Sequence, residues 1–140
     1  MFDMKKLKGN NARAKHKYIP CDIYKSGIHV FIGEYNEMIK WAEKFYHEKE
    51  YIPFIESMRE SRAGYADTHY YLGNVIVRLP IFPTSAEDIA VTTHEIYHAA
   101  CALLQHAGIE YVEESTNEVY AYLIEHLMRN ILKEKGYNKP

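Results

Sequence analysis

His94, Glu95 and His98 form the stretch of this chain whose residue types and spacing point most directly to chemistry. They spell H-E-x-x-H inside THEIYHAA, residues 93–100. On an α-helix, residues four apart project from one face, a turn along from each other. Two imidazoles so placed can share a single Zn2+ and leave positions open for a third protein ligand and a water. Glu95, one step round the helix, sits where it can take a proton from that water. The spacing predicts zinc as cofactor, His94 and His98 as metal ligands, and Glu95 as the general base of a hydrolase. Two core histidines with hydrogen-bonded rings would spell the same letters, so the surroundings have to be weighed.

From Ile89 to Ile109, Glu95 is the only formally charged side chain. The histidine side of the helix continues as Ala90, Val91, Cys101 and Ala102, and the other side carries Ile89, Ile96, Ala100 and Leu103. A helix apolar nearly all round is expected inside a domain. An unpartnered carboxylate there is costly, and no Lys or Arg in the run offsets it. A bound dication would do so, with the histidine face buried around it. For a third ligand the downstream segment offers Glu110, Glu113, Glu114 and Glu118. Glu118, Glu114 and Glu113 are the candidates, and a site with no third glutamate is the remaining possibility. Glu118 has a second use, because Ser115-Thr116-Asn117-Glu118 fits a capping box in which it would bond back to the Ser115 amide.

HEIYH followed at this distance by NEVYAY resembles the gluzincin metallopeptidases, the thermolysin-like group, whose HExxH helix is followed by an Asn-Glu pair on a second helix. The resemblance runs from the Gly73 turn to the last helix, with only the motif positions specific. It implies a minimal zincin-like fold and zinc metallopeptidase activity on a peptide or protein substrate. It further implies that His94, His98 and Glu118 are the zinc ligands and Glu95 the base. The family's aspartate four residues beyond the ligand Glu is Tyr122 here, so Tyr122 or Glu125 would have to orient a ligand histidine. The family's later, oxyanion-stabilising histidine has no clear counterpart, since only His106 and His126 follow the motif. Tyr120, Tyr122, Tyr97, Tyr70 and Tyr71 are candidates for that donor role. The size and layout also look like the small zincin-like proteins of phage genomes.

The elements that must hold this site can be outlined. YIPCDIYKSGIHVFIG reads as two strands joined at Lys25-Ser26-Gly27. EYNEMIKWAEKFYHEKE places Met38, Ile39, Trp41, Ala42 and Phe45 on one face of an amphipathic helix. GYADTHYYLGNVIVRLP reads as a hairpin turning at Leu72-Gly73-Asn74. Pro80 and Pro83 after it suggest that NVIVRLP lies at or near a sheet edge, and as an edge strand it could pair with an extended peptide. Thr84 and Glu87 are spaced for a capping box, and the HExxH helix is expected to run to Gly108. The last helix is expected from about Ser115. The fold class is α+β: a small antiparallel sheet, an HExxH active-site helix and a following glutamate helix.

At 140 residues the chain allows one domain, expected over residues 18–140 behind a basic N-terminal tail, residues 1–17. A formal net charge of −2 argues against nucleic-acid or anionic-membrane partners. No segment has the length and purity of a membrane span, and no signal peptide is evident, so cytoplasmic residence is expected. Cys21 and Cys101 make no CxxC motif and are expected as free thiols. His69 could face the site from its strand, whereas His16, His29 and His47 show no ligand spacing. The expected function is a small zinc metallopeptidase. The alternative is a zincin-like regulatory protein whose metal is structural and which acts by protein contact.

Overall fold

The computed structural model describes residues 13–140. Among them the chain runs β1 (Lys15–Cys21), β2 (Ser26–Ile32), α1 (Tyr35–Phe45), α2 (Ile52–Glu60), β3 (Asp67–Tyr71), β4 (Asn74–Leu79), α3 (Ala86–His106) and α4 (Asn117–Leu132). The fold is α+β. The strands form one sheet in the order β1-β2-β4-β3. The β1–β2 and β3–β4 pairs are antiparallel, but β2 and β4 run parallel, so the sheet is mixed. A parallel neighbour needs a long crossover, and the α1–α2 segment supplies it.

That topology corrects the edge assignment. β4, the NVIVRL strand, lies between β2 and β3, and Val75 through Leu79 are all buried. A strand covered on both faces reads as a nearly continuous apolar run, which this one is. Pro80 simply ends it, and the edge belongs to β3. The helix α2 is a further addition. Pro53 falls in its first turn, where a missing N–H costs nothing, so it starts a helix rather than breaking one.

Helices cover both faces of the sheet. Ile28, Val30, Ile32, Val75, Val77 and Leu79 point one way into a core shared with Ile96, Leu103 and Leu104 of α3 and Leu127 and Ile131 of α4. Phe31 and Ile76 point the other way, against Met38 and Ala42 of α1 and Phe54 and Met58 of α2. The hairpin between β3 and β4 turns on Leu72 and Gly73, both with positive φ (47° and 81°). A Cβ on Gly73 would lie 2.6 Å from the His106 ring, so the turn and the end of α3 approach too closely for any side chain there. Cys21 and Cys101 are free thiols, and among the described residues no helix is long and apolar enough to cross a membrane.

Three residues of the expected basic tail lie in the sheet. Lys15, His16 and Lys17 belong to β1, and the Lys17 ammonium donates to the carbonyls of Asn130, Lys133 and Lys135 at 2.6, 3.1 and 2.8 Å. It sits at the C-terminal end of α4, where the helix dipole favours a cation. Lys5, Lys6 and Lys8 lie outside the described residues.

One ion pair fixes the edge strand. Arg78 of β4 is only 4% exposed. Its guanidinium donates through Nε and Nη2 to Asp67 (3.2 and 2.7 Å), and also to the carbonyls of Gly33 (3.0 Å), Gly64 (2.8 Å) and Tyr65 (3.2 Å). His69 adds a 3.0 Å contact to the same carboxylate. Burial alone would raise the Asp67 pKa, but the bonds from His69 and Arg78 outweigh it and hold it below the usual value. Asp67→Ala leaves Arg78 buried without its counter-charge, a loss of about 3–5 kcal/mol, to be read as a lower urea midpoint.

His29, on β2, titrates far from its ordinary range. Burial, and then the neighbouring His16 ring, push its pKa down to about 3. An unfolded histidine titrates near pH ~6.5. Between those values the unfolded chain binds a proton that the folded chain refuses, so stability falls as the pH drops from about 6.5 toward 3. Urea unfolding of His29→Phe across that window should show a shallower pH slope than the native chain.

Candidate metal centre

The helix α3, which carries the HExxH residues, begins with a reciprocal cap. The Asp88 N–H donates to Ser85 Oγ at 3.1 Å and the Ser85 N–H to Asp88 Oδ2 at 3.5 Å. This is the expected box one residue later than Thr84 and Glu87, because Ser85 is the residue that adopts the extended N-cap geometry. At the other end Gly108, at φ 81°, takes the left-handed conformation that ends the helix. Between these stops, α3 carries His94, Glu95 and His98 on one uninterrupted rod.

The two imidazoles converge. His94 Nε2 and His98 Nε2 are 3.2 Å apart, with the ring planes inclined at 75°. Two Zn–N bonds of about 2.05 Å meeting near the tetrahedral angle span about 3.3 Å, so one ion fits between these nitrogens. The pair is not buried, as expected from the sequence, but exposed. The side of α3 that the sheet covers is instead Thr92, Glu95, Ile96, Ala99, Ala100, Leu103 and Leu104. Val91, Cys101 and Ala102, expected to continue a buried histidine face, are only partly covered, and Ala90 is exposed.

Glu95 turns inward. It is 7% exposed, and the Thr68 hydroxyl of β3 lies 3.3 Å from its Oε2 and 3.1 Å from its main-chain carbonyl. Thr68 thus gives the carboxylate a partner that no residue of the helical run could supply. Among the described residues Oε1 has no hydrogen-bond partner. One oxygen is held and the other is open, which suits a proton acceptor. Thr68 had no signature in the sequence beyond its place on a strand.

The downstream residues are less gathered. Glu118 is exposed in the first turn of α4, and its side chain makes no hydrogen bond or ion pair among the described residues. It does not form the capping box, because the N-cap is Thr116 and the Ser115 amide donates to the Val112 carbonyl. Among the described residues no group of three or more His, Cys, Asp or Glu side chains is close enough to hold an ion, so neither Glu118 nor Glu113 nor Glu114 joins the two histidines here. Glu125 is taken by Arg129 at 2.5 Å, and Tyr122 is 67% exposed without a bond to a ligand histidine. Neither orients His94 or His98.

The tyrosines sort by position. Tyr120 is buried and donates to the Ile109 carbonyl at 2.7 Å, and Tyr71 stacks on Phe54 across the sheet, so both serve packing. Tyr97 and Tyr70 are exposed: Tyr97 packs beside His98, and Tyr70 shares the α3-facing side of β3 with Thr68. His69 faces the opposite side, bound to Asp67.

Because His94 and His98 are exposed, each can be changed to Ala with a stability change within about 0.5 kcal/mol. Zinc affinity, measured by calorimetry on protein purified without a histidine tag, should fall by at least about 100-fold in either variant. No family model, curated protein or solved structure matches the chain, so what the pair does has to be argued from its own geometry.

Proposed function

We propose that this protein is a small zinc-dependent hydrolase acting on peptide bonds. The supporting observation is the 3.2 Å convergence of two exposed Nε2 atoms beside a half-held, inward carboxylate. A zinc ion held there would supply a water of lowered pKa and polarise a carbonyl. Glu95 takes the proton of the attacking water on its open oxygen while Thr68 steadies the other, and then returns it to the departing amine. In this reading Glu118, exposed and without a side-chain bond among the described residues, would turn toward the histidine pair when zinc binds and serve as third ligand. The side of β3 left unpaired among the described residues would offer main-chain groups to an extended peptide, and the exposed Tyr70 of that strand and Tyr97 beside His98 are the candidate hydroxyl donors.

A second reading has its own observation. With no third ligand gathered among the described residues, the same pair suits a protein that binds metal and acts by contact with a partner. Glu95→Gln separates the two. In a zinc-loaded assay on a fluorogenic peptide library, the hydrolase reading expects turnover to drop at least about 100-fold in Glu95→Gln with zinc affinity retained. Zinc binding without cleavage by the native chain would reject it in favour of the contact protein.

A further inference from the structure

A cavity lies away from the histidine pair and shares no residue with it. It has a volume of about 800 Å3, within the usual range for small-molecule sites, and opens between the β1–β2 hairpin, the end of α1 and the β3–β4 turn. His16, Tyr18, His29 and Phe45 form its inner wall, with Lys25 at the hairpin tip. Two of these rings are left open in a way that packing does not explain: Phe45 is 51% exposed and Tyr18 47%. Behind them Trp41 stacks on Phe45 at 5.2 Å and contacts His16 at 4.6 Å, so the wall is a continuous aromatic surface. Tyr46 packs against Phe45 and His29 in that wall, and its buried hydroxyl finds no partner among the described residues.

Among the described residues the one charged side chain lining the cavity is Lys25, and no carboxylate does; three imidazoles, His16, His29 and His106, add hydrogen-bonding nitrogens. His16 Nε2 and His29 Nδ1 share one hydrogen bond of 2.8 Å. In a neutral pair the remaining two ring nitrogens then present one N–H and one bare nitrogen. His29 is 8% exposed and lines the cavity, and among the described residues its Nε2 has no hydrogen-bond partner. When His16 donates, His29 Nε2 carries the proton and becomes a buried donor.

We propose that this cavity binds a small planar aromatic anion, its ring against Phe45 and Tyr18 and its charged group toward Lys25 and His29. Stacking selects a flat ring, and a cationic rim with an imidazole donor selects a carboxylate-like group over an uncharged one. The site operates independently of zinc.

The test uses 2-naphthoate as probe, titrated into the full chain and followed by amide chemical shifts. Saturable shifts centred on Gly27, His29 and Gly73 are expected. Cyclohexanecarboxylate and 2-naphthamide should each bind at least about ten-fold more weakly. Phe45→Ser and Lys25→Asn should each weaken 2-naphthoate by about five- to ten-fold. Both positions are exposed, and Asn tolerates the left-handed backbone of Lys25 (φ 52°). Absence of saturation, shifts scattered away from the cavity, equal binding of the amide, or full affinity in Phe45→Ser would overturn the proposal.

Discussion

A guanidinium with almost no contact with water must be satisfied by protein, and how Arg78 is satisfied decides where the edge of the sheet runs. Its bonds to Asp67 and to the carbonyls of Gly33, Gly64 and Tyr65 tie the loop before β3 and the first residue of β3 to the central strand. Successive residues of a strand face opposite sides. With Asp67 fixed toward α1 and α2, Thr68 must face α3, where it meets Glu95. A slip of one residue would withdraw the hydroxyl from Glu95 and carry the carboxylate away from Arg78 together. The ion pair on one face of the sheet thereby sets the environment of the acid on the other.

The helix α3 then divides its sides. The sheet takes Ile96, Ala99, Leu103 and their neighbours, Glu95 falls at the boundary with β3, and the two histidines are left toward solvent. Two rings a turn apart on a capped, rigid helix have their spacing set by the backbone, which brings both Nε2 atoms together without help from a third element. An open surface pair of this kind asks less of the core than a buried one would.

The local features were legible from the sequence. The HEIYH helix, its Gly108 stop and the Gly73 turn each depend on a few adjacent residues with strong backbone preferences, and they formed within a residue or two of expectation. Non-local features were not. The place of β4 depends on a parallel pairing across the whole α1–α2 crossover, which Pro80 masked. A helix apolar nearly all round does not reveal which side the sheet will cover, so the histidine face was expected inside. The bond from Thr68 to Glu95 also lay beyond reach, since it joins residues 27 apart. The same holds for the cavity, where His16 and His29 meet across a strand pair and not along a helix.

The central claim is that one metal ion sits between His94 and His98. Anomalous diffraction at the zinc edge, from crystals of untagged protein grown with zinc, tests it most directly. The expected result is a single strong peak about 2.0–2.1 Å from both Nε2 atoms, with the Glu118 carboxylate turned toward it. Density showing the two rings bonded only to each other and to water, with zinc absent or held elsewhere, would contradict it.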